Sequence, residues 1–234
     1  MSKKAWVDEI GEITLAKRRS AKGLRLSVNI NGQVRISMPR WVPYRSALAF
    51  AKKRKDWIIA HKQKNQKILL RDGARIGKTY NLQIIKALEP IVLATRIAGQ
   101  RIIISTSYPI QNELVQRRAI HACERALLKE AKVSLPPQLL ALAEKNGFNY
   151  KELRIRKLTS RWGSCSSNQI ITLSYFLVQL PDEFIKYVML HELVHTKFLN
   201  HSPDYWARLE ELVPSAKLKR RQLREHKPRL EPSW

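Results

Sequence analysis

The sequence has no apolar run long enough to cross a membrane. Its best candidate, residues 170–178, is far shorter than the roughly 20 residues that a membrane-spanning helix requires. The opening residues, MSKKAWVDEI, contain acidic side chains where a signal peptide needs an apolar stretch. These absences predict a soluble, cytoplasmic protein.

Cysteine is scarce, with only Cys123 and Cys165 in 234 residues. Two separated cysteines exclude a cysteine-rich structural zinc site, which needs up to four thiolates. One disulfide would be compatible with this count, but nothing indicates a secreted scaffold held together by disulfides. The hydrophobic content of 44% supports a true core, in one large domain or two small ones.

Acidic residues are also few. The chain has 19 of them and 44 basic residues, which gives a net charge of +25. The net charge is +13 in residues 1–68, +5 in residues 215–234 and −3 in residues 181–214. Such a positive field favours polyanions, including nucleic acid. A basic soluble protein without such a partner has the same composition, and the basic run Lys52–Lys55 also fits a solvated helix face.

The first part of the chain has the pattern of a small sheet. Apolar residues alternate on both sides of Asn31-Gly32, which predicts a hairpin that ends at Pro39. Helical spacing from about 43 to 67 predicts one long basic helix. Three apolar stretches, at 68–70, 80–85 and 91–104, predict further strands of the same sheet. We expect no internal repeat.

The second part of the chain alternates between helical and strand patterns. Helices are predicted at 112–133 and from Pro136-Pro137 to Gly147. Strands are predicted at 150–158 and 169–176, with a loop between them. Further helices are expected to start at Pro181 and at Ser202-Pro203. This order predicts an α+β domain.

One short stretch on the helix after Pro181 has a pattern with a chemical reason. Residues 191–195 read HELVH, so His191 and His195 lie four apart, on one helix face. Two such imidazoles can bind one Zn²⁺, and Glu192 beside them can act as general base toward a metal-activated water. Chance predicts about 0.01 such matches in this composition. The alternative is a pair of hydrogen-bonded core histidines.

A catalytic zinc site takes three protein ligands, so a third must be found. His201 follows His195 at the metzincin spacing, with Phe198 in place of the metzincin glycine. We expect Asn200 to turn the chain by adopting the left-handed conformation. The position of His201 in this turn favours it as the third ligand. The rival ligands lie on the next helix and are Glu210 and Glu211.

The segment 161–166, RWGSCS, precedes the HELVH helix and joins two predicted strands. Gly163 would allow close backbone approach, and the segment would lie beside an extended substrate. Arg161 and Tyr205 are candidate contacts to the oxyanion or the substrate. Trp162 and Cys165 are expected to pack in the core, although Cys165 could also bind the metal in a resting state. Arg161 could equally bond the backbone.

Both motifs, together with Asn200-His201-Ser202 and Tyr205-Trp206, resemble those of the YgjP-like metallopeptidases, relatives of the SprT-like zincins. The resemblance extends from about residue 18 to 213. It implies a zinc-dependent peptidase with His191, His195 and His201 as ligands of one Zn²⁺ and Glu192 as general base. The metzincin glycine is not part of that family's pattern, so Phe198 is no departure. SprT-like relatives act on proteins attached to DNA, so peptidase and nucleic-acid functions would be compatible.

The sequence therefore predicts a zincin-like catalytic domain at 109–214, with its active-site helix packed on a small antiparallel sheet. A β-rich region with the basic helix precedes it at 1–108, and a basic tail follows at 215–234. The predicted function is a zinc metallopeptidase with a polypeptide substrate. The alternatives are a nucleic-acid-associated protein in which the zinc site is secondary, and a metal-binding scaffold without activity. Glu192 argues against a scaffold, since a structural site needs no base.

Overall fold

A computed structural model describes residues 2–28, 32–64, 69–88 and 92–233. The chain forms two compact units, residues 1–68 and 69–234. The boundary expected after residue 108 therefore falls inside the second unit. Both units combine sheets with helices, which confirms the α+β class. No helix among the described residues is long and apolar enough to span a bilayer.

The first unit is a four-stranded sheet followed by two helices. Its sheet has the order β1-β2-β4-β3, and β3 and β4 form the predicted antiparallel pair. Asn31 and residues 65–67 lie outside the described residues. The expected single helix is two consecutive helices, with Arg54 between them. The elements are β1 (Ser2–Val7), β2 (Gly11–Arg18), β3 (Arg25–Val28), β4 (Val34–Pro39), α1 (Tyr44–Lys53) and α2 (Lys55–Lys64).

The second unit begins with another four-stranded sheet. The sequence analysis had placed these strands in the same sheet as the strands of the first unit. Its order, β5-β6-β8-β7, and the direction of each strand pair repeat those of the first sheet. The expectation of no internal repeat is therefore wrong at the level of topology. Residues 69 and 70 are not in a strand. The strands are β5 (Arg75–Ile76), β6 (Tyr80–Lys86), β7 (Leu93–Ala98) and β8 (Arg101–Thr106).

A single helix, α3 (Glu113–Asn146), replaces the two helices expected around Pro136 and Pro137. Proline lacks an N–H and usually interrupts a helix. Here buried residues recur every third or fourth position through the prolines, so packing of one continuous apolar face outweighs the lost hydrogen bonds. The helix ends at Gly147, as predicted, with a φ of +67°.

A three-stranded sheet, a 3₁₀ helix and three α-helices complete the second unit. The expected loop between two strands contains a strand of its own, β10, at the sheet edge. The sheet is mixed rather than antiparallel, because β9 runs parallel to β11. The elements are β9 (Glu152–Arg156), β10 (Gly163–Cys165), β11 (Ile170–Ser174), a 3₁₀ helix (Tyr175–Gln179), α4 (Asp182–Val194), α5 (Pro203–Leu212) and α6 (Ala216–Leu223).

The expected basic tail is part of this fold. It contains α6, whose Ala216 is fully buried, and Leu230 is buried farther along. The backbones of Arg75 and Ser233 exchange two hydrogen bonds, of 2.7 and 3.0 Å. The cationic side chains of α6 are therefore held by a packed helix, because its other face is anchored in the core.

Candidate metal centre

Helix α4 carries the HELVH motif in its last turn. The acidic Asp182 and Glu183 lie in its first turn, where they complement the helix dipole. Nine of its thirteen residues are buried, so the helix crosses the core. Its motif residues are therefore fixed by packing on both sides.

The turn after α4 brings the chain back toward the motif. Backbone bonds of 3.0–3.1 Å run from Thr196 N to Leu193 O and from Lys197 N to Val194 O, which tighten the helix end. Asn200 does not have a positive φ, so the expected left-handed turn at this residue is wrong. The tight bonds already reverse the chain without it.

Helix α5 starts where the sequence predicted. The Ser202 side chain accepts a hydrogen bond from Tyr205 N at 3.3 Å, and Pro203 is the first helical residue. This confirms the predicted cap. His201 directly precedes the cap, so the start of α5 determines where its imidazole lies.

The three histidines of the motif and the turn form one cluster. His191, His195 and His201 each offer one ligand nitrogen, and these atoms all lie within 4.8 Å of one another. The Nε2 atoms of His191 and His201 are 3.3 Å apart. Two nitrogens bound tetrahedrally to one Zn²⁺ at about 2.05 Å would lie about 3.3 Å apart. The donor set and its spacing therefore fit a zinc ion.

Hydrogen bonds on the far sides of the rings direct the Nε2 atoms toward this shared space. Nδ1 of His195 donates to the Phe198 carbonyl at 2.9 Å, because a carbonyl can only accept. Nδ1 of His191 lies 2.5 Å from the Tyr205 hydroxyl, which in turn donates to the His191 carbonyl at 3.3 Å. Each ring then keeps its Nε2 lone pair for a ligand bond.

Burial holds these imidazoles in the neutral form that binds metal. It lowers the pKa of His191 to about 3, and the charges of His195, His201 and Arg220 act in the same direction. The pKa of His201 is also lowered, by burial and then by His195 and Arg220. Neutral imidazole is the ligand form, so the site is ready for metal at neutral pH.

Glu192 lies between the metal cluster and strand β10. Only 4% of it is exposed, and a Cβ added at Gly163 would lie 2.7 Å from its carboxylate. Gly163 thus packs against the Glu192 side chain, and the predicted close approach of an extended substrate at this glycine stays a prediction. Burial raises the pKa of Glu192 to about 8, while the Arg161 charge lowers it. Arg161 itself is exposed and lies within electrostatic reach of this carboxylate.

The rival ligands bond elsewhere. The Glu210 carboxylate accepts hydrogen bonds from Ser215 N and Ala216 N at the start of α6. Glu211 forms an ion pair with Arg208 at 2.7 Å. Among the described residues, neither glutamate belongs to a cluster that could hold a metal.

The segment around β10 is anchored by its neighbours. Trp162 is buried as expected, and its carbonyl accepts a 2.8 Å hydrogen bond from Ser174 N. Cys165 is half-buried rather than in the core, and both cysteines are free thiols. Burial, with the Glu192 charge, raises the pKa of Cys165 to about 11, so its thiol is protonated at neutral pH. It is not part of the histidine cluster.

The sequence reasoning missed the link between α6 and this centre. The Trp206 and His201 rings are 5.8 Å apart, and the Arg220 guanidinium lies 5.2 Å from the Trp206 ring. The signal was present in the sequence, because Lys217, Arg220, Arg221 and Arg224 follow the spacing of one helix face.

The model of the YgjP-like metallopeptidase domain matches residues 22–226. The chain belongs to the YgjP-like family. The match includes both units and every residue of the histidine cluster. Membership supports a metallopeptidase, and the histidine cluster lies within the matched residues.

Two solved structures are similar to part of this YgjP-like chain. The metallopeptidase zymogen of Pyrococcus abyssi abylysin is 26% identical, with a TM-score of 0.35, over 39% of this chain and 93% of its own. The metallopeptidase zymogen of Methanocaldococcus jannaschii jannalysin is 20% identical, with a TM-score of 0.34, over 38% and 95%. No curated protein matches the chain.

Proposed function

We propose that this protein is a zinc-dependent peptidase that hydrolyses peptide bonds at the histidine cluster. The observation that carries the proposal is the convergence of His191, His195 and His201, whose ligand nitrogens lie within 4.8 Å of one another. The three histidines would hold a zinc ion there, which would act as a Lewis acid and would lower the pKa of a bound water. Three protein ligands leave one position for the reaction.

Glu192 is the proposed general base. It takes a proton from the attacking water and delivers it to the leaving amine nitrogen. Its buried carboxylate gives a raised pKa, and a base in this range both accepts and returns a proton near neutral pH. Arg161 supplies positive charge on the exposed side of the carboxylate. This supports a role for Arg161 in stabilising the negative charge that develops on the substrate carbonyl oxygen.

Tyr205 is better supported as a positioning residue than as the oxyanion contact considered from the sequence. Its side chain is fully buried, and its hydroxyl bonds both Nδ1 and the carbonyl of His191. A hydroxyl with these two partners orients the ring of His191. Such outer contacts commonly change metal affinity by about 10- to 100-fold.

The test is hydrolysis of a labelled, unfolded polypeptide by the zinc-loaded protein. Glu192→Gln should keep its zinc and lose about 100- to 10,000-fold in turnover, because only the proton acceptor is removed. Glu144→Gln, at an exposed position of α3, is the matched control and should keep full activity. Unchanged turnover in Glu192→Gln would exclude this mechanism.

Nucleic-acid binding by the basic first unit stays a second prediction. Trp6 and Trp41 are 74% and 80% exposed in a segment of net charge +13, and exposed aromatics can stack on bases. Binding of single-stranded DNA should weaken steeply with salt and with Trp6→Ala/Trp41→Ala. No binding at low salt would contradict it.

A further inference from the structure

Helix α6 and its C-cap, Arg224, present a row of four cations on one face. Lys217, Arg220, Arg221 and Arg224 follow the spacing i, i+3, i+4 and i+7, and all four are exposed. Like charges three and four positions apart destabilise a helix. Repulsion between the four cations therefore lowers the stability of the folded protein, and an anionic ligand would reduce this repulsion.

Carboxylates of the chain do not neutralise this row. Among the described residues, none forms an ion pair with any of the four cations. Three acids of this part of the fold are already bonded, since Glu183 pairs with Lys219 on another side of α6, Glu210 caps the helix, and Glu211 pairs with Arg208. Glu225, which follows Arg224 in sequence, forms no ion pair with the row. The four charges consequently remain available to a ligand.

These side chains and Trp206 line a cleft of about 320 Å³. The Arg220 guanidinium lies over the Trp206 ring, and that ring lies 5.8 Å from the His201 ring, so Trp206 contacts both the cleft and the metal centre. Its volume is at the small end of ligand sites and suits a few side chains. A ligand longer than the cleft could therefore pass along Trp206 to the histidine cluster.

We propose that the α6 cleft binds acidic side chains of the polypeptide that is cleaved at the histidine cluster. The proposal rests on the proposed function and specifies its substrate class. A peptide is favoured because the occupant must also reach the metal centre. In an extended peptide, alternate side chains lie about 7 Å apart on one side, while cations one turn apart on α6 lie about 5 Å apart. Glutamate or aspartate at alternate positions can thus meet successive cations, and the Trp206 ring can pack against their aliphatic parts.

The test compares two labelled peptides of one length, with either glutamate or glutamine at alternate positions. Binding is measured by fluorescence anisotropy with the full-length, zinc-loaded Glu192→Gln protein, so that no cleavage occurs. The glutamate peptide should bind about tenfold more tightly, from two charge-assisted contacts. Arg220→Gln/Arg221→Gln should abolish this preference. Arg118→Gln/Lys129→Gln removes the same charge from exposed positions of α3 and should retain it.

A second pair, Arg221→Gln/Arg224→Gln, leaves the Arg220–Trp206 contact intact and should also reduce the preference, so the test does not depend on the folding of one variant. Equal binding of both peptides, or a preference that survives both double variants, would overturn the proposal. The proposal would also be overturned if single-stranded DNA displaced the peptide and bound more tightly through the same arginines. If the wild-type protein binds the glutamate peptide with this dependence but cleaves neither peptide, the proposed function fails and the cleft assignment stands.

Discussion

Substitution of Gly163 by alanine should separate metal binding from catalysis. An added Cβ would lie 2.7 Å from Oε1, 2.8 Å from Cγ and 3.0 Å from Cδ of Glu192. Ordinary contacts between such atoms are about 3.5 Å or more, so the carboxylate or β10 must move by roughly 0.8 Å. The shift cannot be confined to the carboxylate tip, because Cγ is also too close and Glu192 is almost fully buried.

The expected effect on turnover follows from this displacement. A misplacement of about 1 Å in an active site costs about 100-fold, so roughly 0.8 Å should lower kcat about 30-fold. Zinc content should stay at one ion per chain, since the clash involves none of the three histidines. Overpacking should also reduce the free energy of unfolding by about 1–3 kcal/mol.

The assay measures kcat, zinc content and urea unfolding for Gly163→Ala and for Gly23→Ala. Gly23 is the matched control, because a Cβ at this position meets nothing within 4 Å. In a Glu192→Ala background the stability cost of Gly163→Ala should nearly vanish, since the clashing side chain is gone. Wild-type turnover in Gly163→Ala, or an equal stability cost in both backgrounds, would refute the close packing of this glycine against the base.

Three further outcomes are expected. Tyr205→Phe removes the hydroxyl from His191, so zinc affinity measured by chelator competition should fall about tenfold, and an unchanged affinity would contradict the positioning role. His201→Ala should lose zinc, whereas Glu210→Ala should keep it and lose about 1 kcal/mol of stability with its α6 cap; the opposite pattern would reassign the third ligand. In the metal-free protein, the pKa of Glu192 is about 8 in the folded state and near 4.5 in the unfolded state. The free energy of unfolding therefore falls as the pH rises between these two values, because the unfolded state releases a proton that the folded state keeps. Glu192→Gln should therefore gain stability over wild type from pH 5 to pH 8, by at most about 1.4 kcal/mol per pH unit, and a constant difference in urea unfolding would exclude this.

Local signals predicted the parts of the site that depend on neighbouring residues. The HELVH spacing identified His191 and Glu192 because four residues make one helical turn, and Ser202-Pro203 identified the start of α5 because a cap needs only adjacent groups. The hairpin of β3 and β4 was predicted in the same way, from alternation around one turn.

Features that depend on distant partners were missed. The prolines of α3 are tolerated because its apolar face packs along its whole length, and a local helix-breaking rule does not include that packing. Strand β10 is only three residues long and is defined by its pairing with β11 and its approach to Glu192. The repeated strand order of the two larger sheets was missed because the same topology tolerates different apolar residues in each.

The electrostatic field at the metal centre shows why charge counted along the chain is a poor guide. Residues 181–214 carry a net −3, which suggests an acidic environment. In the fold, Asp182 and Glu183 are paired with lysines, Glu210 caps α6, and burial favours the neutral form of Glu192. The cationic charge that acts on the site then comes from Arg220 on α6 and from Arg161, which both lie outside the acidic segment in sequence. Arg220, which adds to the effect of burial in lowering the pKa of His191 and His201, belongs to the row of cations placed to attract an acidic substrate, so loss of the peptide preference should accompany removal of these cations while the zinc remains bound.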